Sequence, residues 1–206
     1  MTMAIAIVKG YAVPMAPRGA SRAAAIDAAA DLMQRQGYAA TGLEAILAAS
    51  GSPKGSFYFH FPEGKEQLAA EALRAGGVGV RTFIDDVVAA ATSPGDAVRR
   101  IAASEARQLA RSGFERGCPI ATVTLEMASR SSPIQRAADE AFESWAAPLA
   151  TMLSARGVAD AKAATLARWA IAALEGALVL ARAARDESLV TSLAEITAAA
   201  LDAHLS

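Results

Sequence analysis

The sequence contains few cysteines and histidines, and this shortage excludes several kinds of protein. Its single cysteine, Cys118, cannot form an internal disulfide, so nothing indicates a secreted, disulfide-stabilised scaffold. One cysteine and two histidines, His60 and His204, fall short of the four such ligands of a typical structural zinc site. No Ser-His-Asp set, metal-ligand spacing or phosphate-binding glycine loop occurs, and no histidine lies near Cys118. We therefore expect neither an enzyme nor a cofactor.

The chain also lacks a charge bias and a long apolar run. It carries 20 basic and 21 acidic residues, so it is not a polycation that coats nucleic acid or membrane. No uninterrupted apolar run reaches the roughly 18 residues that span a bilayer. A short apolar stretch at the N-terminus precedes Lys9, whereas a signal peptide has its positive charge first. We expect a cytoplasmic protein without a membrane partner.

What the chain does contain is alanine, which accounts for 54 of its 206 residues. Alanine is the best helix former and is depleted in strands, while 15 glycines and 8 prolines are close to average usage. This composition excludes a mainly β, collagen-like or disordered chain. We predict an all-α fold of about nine helices. Residues 1–17 are predicted to form a flexible leader, either an extended arm without a role or an arm that touches DNA.

The first third carries one long helix followed by two short ones. The long helix is predicted to start with Ser21 as its N-cap and to end at Gly37. Thr41 and Glu44 have the spacing of a capping box that starts the second helix. Ser52 and Pro53 suit the cap and first position of the third, which Pro62 ends. This layout predicts a helix-turn-helix domain over residues 18–64, followed by a second domain over residues 65–206.

The third helix has the residues that a DNA-reading helix needs. Its apolar Phe57 and Phe61, four residues apart, can pack on the preceding helices. Gly55 costs about 1 kcal/mol of helix propensity relative to alanine, which suggests that a DNA backbone must approach it. The groups available to the groove and its phosphates are Ser52, Lys54, Gly55, Ser56, Tyr58 and His60. An ordinary helical hairpin whose polar face meets water fits these residues equally well.

A resemblance to a known family favours the DNA-reading alternative. The segment closely resembles the N-terminal signature of TetR-family transcriptional regulators over about residues 20–75. The residues that carry this resemblance are Gly37-Tyr38, Thr41, Ile46, Gly51, Lys54-Gly55-Ser56-Phe57-Tyr58-Phe59-His60-Phe61 and Lys65-Glu66-Gln67-Leu68. Members of that family are all-α homodimers with an N-terminal helix-turn-helix and a larger ligand-binding helical domain. The run Gly117-Cys118-Pro119-Ile120-Ala121 and the spacing from Pro62 to Glu66 look like the LmrA-type subgroup.

The resemblance implies roles for individual residues. Two positions depart from the family pattern: Gly42 replaces a usual serine or threonine, and Ser52-Pro53 replaces the more frequent valine-serine. The implied roles are a phosphate contact for Thr41, groove contacts for Lys54 and Ser56, backbone-phosphate contacts for Tyr58 and His60, and phosphate contacts for Lys65 and Arg22.

The last two helices predict a homodimer. The helix between Leu166 and Arg182 is apolar nearly all round, so it must be buried on two sides. Its small residues permit close approach of a second helix, and a four-helix bundle between two subunits would cover the spare face. A monomeric core helix is the alternative. The predicted interface residues are Trp169, Ala173, Gly176, Leu180, Leu193 and Ile196.

The second domain is also expected to bind a small molecule. Ligand pockets are mostly apolar with a few polar groups. The residues that fit this description are Phe114, Met127, Trp145 and Trp169, with Thr124, Glu126 and Glu175 as polar members. The run Gly76-Gly77-Val78-Gly79 lies inside a predicted helix and indicates either close packing or a flexible joint.

These features lead to two hypotheses of different classes. The first is a ligand-responsive repressor that binds a palindromic operator as a dimer and is released by a small, largely apolar effector. The second is an all-α small-molecule binding or interaction protein without a specific DNA function. The lysine-bearing third helix favours the first. Residues 1–62 carry five basic and three acidic residues, against fifteen and eighteen in the remainder, which points the same way.

Overall fold

The computed structural model describes residues 7–8, 11–12 and 21–205, and it confirms the all-α prediction. The described part of the chain forms nine helices and one short antiparallel pair of strands, β1 (Ile7–Val8) and β2 (Tyr11–Ala12). The other residues of the predicted leader lie outside the described residues. The helices are α1 (Ser21–Ala40), α2 (Leu43–Ser50), α3 (Lys54–His60), α4 (Lys65–Ala90), α5 (Pro94–Arg111), α6 (Ala121–Met127), α7 (Ser132–Ser154), α8 (Asp160–Ala184) and α9 (Ser188–Asp202).

Two of the predicted helix caps are wrong. Gly42, not Thr41, is the N-cap of α2, and Pro53, not Ser52, is the N-cap of α3. Neither cap makes a side-chain hydrogen bond to its helix. The Thr41 hydroxyl instead donates to the carbonyl oxygen of Gly37 at 2.6 Å. Gly37 does break α1 as predicted, with φ of 82° and ψ of 178°, although helical residues resume directly after it.

The described residues divide into two compact units whose limits differ from the predicted domains. The first runs to Gly79 and takes in Cys118–Ala141, and the second comprises Val80–Gly117 and Phe142–Ser206. The segment that contains α6 belongs to the first unit because α6 packs against α1. The run of glycines at 76–79 is fully helical, and a Cβ on Gly77 would lie 3.0 Å from the Cβ of Ala141. Close packing therefore accounts for Gly77.

The core of the first unit fixes the orientation of α3. Phe57 and Phe61 are fully buried, with ring centroids 5.2 Å apart. Met33 of α1, Ile46 of α2 and Leu68 of α4 are buried in the same unit. Burial of a large apolar side chain stabilises the fold by roughly 1.5–3 kcal/mol. The predicted packing role of the two phenylalanines is confirmed, and the opposite face of α3 is left for other contacts.

In the second unit, α5 lies close against α9. A Cβ on Gly95 would lie 2.8 Å from the carbonyl oxygen of Ala198 and 2.2 Å from a carboxylate oxygen of Asp202. The Asp202 carboxylate accepts a hydrogen bond from the Gly95 N–H at 2.8 Å. The hydroxyl of Ser93 caps the start of α5 by accepting from the N–H of Asp96. Glycine is required here because no side chain fits between the two helices.

Judged by length and composition alone, one helix among the described residues, α8, could cross a membrane. One third of its most apolar window is buried within the chain. Core and interface helices of soluble proteins have the same composition, so this property alone does not indicate a membrane span.

Candidate nucleic-acid interface and effector domain

The exposed face of α3 combines a cation with two aromatic rings. Lys54, Tyr58 and Phe59 are exposed, with 52% of Tyr58 and 83% of Phe59 accessible to solvent. Phe59 was missed as a site residue, although its position between the two inward-facing phenylalanines places it on the outer face. Together with the neighbouring Tyr58, Phe59 gives this face an apolar, aromatic surface. The face is therefore suited to base edges and thymine methyl groups.

Lys54 is held by an acidic neighbour from the preceding helix. Its Nζ lies 2.7 Å from a carboxylate oxygen of Glu44, and both side chains are exposed. The hydrogen bond from Lys54 to Glu44 raises the pKa of the lysine above its usual value. An exposed ion pair of this kind contributes little to stability because solvent screens it, so a phosphate can compete for the lysine.

Gly55 leaves open space at the start of α3. No atom lies within 4 Å of the position that a Cβ would occupy. The chain's own packing therefore does not require glycine here, which agrees with an approach from outside. His60, at the end of the helix, is half-buried. The Ser56 side chain lies outside the described part of the structure.

Thr41 and Ser52 are buried, which contradicts their predicted contacts with DNA. Thr41 is 0% exposed and its hydroxyl is bonded to Gly37, so it is not presented to a phosphate. Ser52 is 8% exposed. The prediction failed because the break at Gly37 brings the Gly37 carbonyl within reach of the Thr41 hydroxyl.

The two remaining predicted phosphate ligands have partners within the first unit. The Arg22 guanidinium lies 2.6 Å from Glu71 and 5.6 Å from the centroid of the Phe61 ring, with its side chain 51% exposed. The Nζ of Lys65 donates to the carbonyl oxygen of Tyr38 at 2.6 Å and lies 4.0 Å from the Tyr38 ring centroid. Burial lowers the pKa of Lys65, an effect opposed by the nearby charge of Glu126. Arg22 stays accessible to DNA, whereas Lys65 serves the junction between α1 and α4.

Glu126 of α6 contacts the break in α1. Its carboxylate accepts hydrogen bonds from the backbone N–H of Tyr38 at 3.2 Å and of Ala39 at 2.7 Å. A Cβ on Gly37 would lie 1.8 Å from the same carboxylate. We call Glu126, Gly37, Tyr38 and Ala39 the α1–α6 junction. Both carboxylate oxygens are engaged there, so the prediction that Glu126 binds the ligand is corrected.

The other predicted ligand residues fall into different units. Thr124 and Met127 lie on α6 in the first unit, where the Thr124 hydroxyl donates to the Ile120 carbonyl at 2.8 Å. The remaining members belong to the second unit and are Phe114, Trp145, Trp169 and Glu175. For these six residues, a role in ligand binding remains a prediction.

Two of these second-unit aromatics are fixed by neighbours. Trp145 is buried and meets the Phe142 ring edge-on, with centroids 5.3 Å apart. The half-buried Phe114 has a φ of 67°, and its carbonyl accepts from Arg182 at 3.0 Å. The Arg185 guanidinium lies 5.4 Å from the Phe114 ring centroid. Their arrangement is that of ordered packing rather than of free side chains.

Two polar residues of α5, Glu105 and Gln108, were missed as site residues, and they lie with the predicted Glu175 of α8 in a polar cluster. Burial and the charge of Glu175 raise the pKa of Glu105 to about 8. On the next turn of α5, Gln108 Nε2 is buried, and it alone among the described buried side-chain nitrogen and oxygen atoms lacks a hydrogen-bond partner. Such groups are costly within a protein and are frequent at binding sites. No local pattern in the sequence marks this cluster, because it depends on the packing of α5 against α8.

We expect Glu105→Gln to flatten the pH dependence of stability. A carboxyl whose pKa is about 8 when folded and about 4.5 when unfolded holds its proton more tightly in the folded state. The free energy of unfolding of the parent chain should therefore fall between about pH 5 and pH 8, by a few kcal/mol at most. Urea titrations of both proteins at pH 5, 6.5 and 8 measure this difference. If the free energies of unfolding of the two proteins change with pH in parallel, the pKa of Glu105 is not raised by folding.

An apolar strip runs along the second unit where the dimer interface is predicted. Among the large residues, Trp169 is 40%, Leu180 55% and Ile196 67% exposed. Gly176 lies exposed between Trp169 and Leu180, and no atom lies within 4 Å of where its Cβ would be. Ala173 and Leu193, the other predicted members, are half-buried. The strip has the residues and the open space that a second helix pair needs.

Comparison with known protein families identifies both halves of the chain. A family model described as bacterial regulatory proteins of the tetR family matches residues 25–72. A second, described as the C-terminal domain of LmrA/YxaF-like transcriptional regulators, matches residues 94–196. The first includes α2 and α3, and the second runs from the start of α5 into α9.

Similar proteins span nearly the whole chain. The HTH-type transcriptional regulator LmrA of Bacillus subtilis (strain 168) is 34% identical over 170 residues, which cover 82% of this chain and 90% of that protein. The HTH-type transcriptional regulator YxaF of the same organism is 34% identical over 181 residues, covering 88% and 95%.

Solved structures show the same fold. A TetR-family regulator from Agrobacterium tumefaciens has a TM-score of 0.76 at 19% identity, covering 89% of this chain and 98% of that one. A TetR regulator from Legionella pneumophila has a TM-score of 0.75 at 22% identity, covering 86% and 95%. With its fold, its helix-turn-helix and both family matches in agreement, the chain belongs to the TetR family of bacterial transcriptional regulators, which are not enzymes, and it carries an LmrA/YxaF-like C-terminal domain.

Proposed function

We propose that this regulator is a cytoplasmic, effector-responsive repressor that binds a palindromic operator as a homodimer. The observation that carries the proposal is the two-sided character of α3. Its Phe57 and Phe61 are buried, while Lys54, Tyr58 and Phe59 project outward beside the open surface at Gly55. A helix anchored on one face and polar-aromatic on the other can enter the major groove without rearrangement.

The exposed strip on α8 and α9 supports the homodimer. Large apolar side chains at Trp169, Leu180 and Ile196 are costly to leave in water, and a two-fold partner would cover the same strip on both subunits. Two-fold symmetry would also present two copies of α3 to successive major grooves, about one DNA turn apart. A palindromic operator follows from that geometry.

The polar cluster of Glu105, Gln108 and Glu175 supports an effector site in the second unit. An effector that gives Gln108 Nε2 an acceptor would relieve a buried, unbonded amide. The buried residues of α8 are alanines and leucines, which suit a small, largely apolar molecule. Preferential binding to a conformation with poor operator affinity would release the DNA.

Lys54→Ala tests the role of α3. We expect it to weaken operator binding about tenfold or more, because the lysine lies on the proposed groove face and supplies the cation there. Fluorescence anisotropy with an operator selected by the wild-type protein from a random DNA library measures the change. Sedimentation should show the same oligomeric state for both proteins.

Glu44→Gln is the matched variant, with the opposite expected sign. It removes the carboxylate that holds Lys54 at 2.7 Å and lowers the negative charge near the phosphates. Operator affinity should therefore rise by a few-fold. If neither substitution changes the affinity, α3 does not read this DNA.

A further inference from the structure

We propose that Glu126 is the positioning residue through which the LmrA/YxaF-like C-terminal domain holds the DNA-reading helices in register. The DNA part of this inference rests on the proposed function. Its geometric part concerns the α1–α6 junction alone, and it can be tested without any DNA.

The junction joins the two matched family domains. Gly37, Tyr38 and Ala39 lie within the TetR N-terminal match at residues 25–72, whereas Glu126 lies within the C-terminal match at residues 94–196. The residues are 87 or more positions apart, yet they belong to the same compact unit. A side chain supplied by the C-terminal domain therefore bonds directly to the backbone that leads into α2 and α3.

The contact satisfies groups that the break in α1 exposes. Backbone N–H groups that follow an interruption in a helix have lost their acceptors one turn back, as at any helix start. The two N–H groups after Gly37 donate to Glu126 at 3.2 and 2.7 Å. A carboxylate is suited to this position because it accepts two hydrogen bonds and its negative charge is favoured at the start of a helical turn.

The same short segment is also fixed from other directions. The Gly37 carbonyl accepts from the Thr41 hydroxyl at 2.6 Å, and the Tyr38 carbonyl accepts from Lys65 Nζ at 2.6 Å. Glu126 attaches the segment to α6, and Lys65 attaches it to α4. Thr41, which directly precedes the N-cap of α2, attaches it to the start of that helix. The direction in which the chain enters α2 therefore depends on the position of Glu126.

A second bond keeps the α6 segment in place beside α4. Ser131, buried between α6 and α7, donates its hydroxyl hydrogen to the Glu66 carboxylate at 2.5 Å. Residues 112–120 connect α6 to α5, and residues 128–131 connect it to α7. Both neighbouring helices lie within the C-terminal match. A displacement of those helices on effector binding would act on α6, and through Glu126 on the entry to α2.

Glu126→Gln is the test, because it keeps the shape of the side chain. The amide has one acceptor oxygen, and its NH₂ group would face a backbone N–H donor. Hydrogen exchange at the Tyr38 and Ala39 amides should become at least tenfold faster, and operator affinity should fall about tenfold. The salt dependence of binding should not change, because no phosphate contact is lost. Glu126→Asp, which retains the charge, should recover part of both losses.

Glu140→Gln is the matched control in the same unit. Glu140 forms an exposed ion pair with Arg74 at 3.5 Å, so its loss should leave both measurements unchanged. Unchanged amide exchange in Glu126→Gln would overturn the proposal. Faster exchange with undiminished operator affinity would also overturn it, by showing a local contact without influence on DNA binding. If the wild-type protein selects no operator, the proposed function fails instead, while the exchange experiment still tests the junction.

Discussion

Gly37→Ala is expected to lower the free energy of unfolding by roughly 3 kcal/mol or more. The φ of 82° and ψ of 178° at this position are essentially restricted to glycine, and another residue there costs on the order of 1–3 kcal/mol. The new Cβ would also lie 1.8 Å from the Glu126 carboxylate. If that carboxylate moves away, the exposed Ala39 N–H can bond to water, whereas the part-buried Tyr38 N–H loses its acceptor at a further cost of up to about 1–3 kcal/mol.

Gly42→Ala is the matched control for this substitution. Gly42 lies five residues away with a φ of −74°, and no atom lies within 4 Å of the position of its Cβ. Its unfolding free energy should fall by only about 1 kcal/mol, the loss expected when alanine replaces a favourable N-cap residue. Urea titrations followed by circular dichroism compare the two variants. Similar stabilities would show that the α1–α6 junction tolerates a side chain and does not constrain the break.

Gly176→Trp is expected to convert the protein from a dimer into a monomer. The proposed interface needs close approach of two α8 helices, and an indole at their contact would force them apart. Since no atom of the same chain lies within 4 Å of the Gly176 Cβ position, the subunit itself should fold normally. We expect the dimer dissociation constant to rise at least about 100-fold, equivalent to roughly 3 kcal/mol. Sedimentation velocity across a range of concentrations measures this change.

Thr151→Trp on α7 is the control, because Thr151 is exposed and lies outside the strip. It should leave the dimer intact. A monomeric Gly176→Trp protein should also bind a palindromic operator far more weakly than the wild type, since each subunit would engage a half-site alone. A Gly176→Trp protein that remains dimeric would exclude this strip as the interface.

The long helices could be predicted from the sequence, because their boundaries depend on local chemistry. Composition predicted about nine helices, the number that the described residues form, and the helix predicted between Leu166 and Arg182 lies within α8. The spacing of Phe57 and Phe61 likewise identified the buried face of α3. These features depend on neighbours three or four positions away, which the sequence displays directly.

The features that failed depend on contacts between distant segments. Glu126 looked like a pocket residue, and its actual partners lie 87 and 88 positions earlier. The raised pKa of Glu105 comes from burial and from the charge of Glu175, which is 70 positions later. No local pattern marks such pairs, because only the packing of α6 on α1 and of α5 on α8 brings them together.

The central claim, that this regulator recognises a specific operator, is tested most directly by fluorescence anisotropy with DNA from immediately upstream of its own reading frame. Regulators of this kind commonly act on neighbouring promoters, so this fragment is the first choice. The account predicts tight binding that random competitor DNA does not displace and that weakens at the higher of two salt concentrations. Weak binding that random DNA competes away, both on this fragment and on sequences selected from a random library, would contradict it.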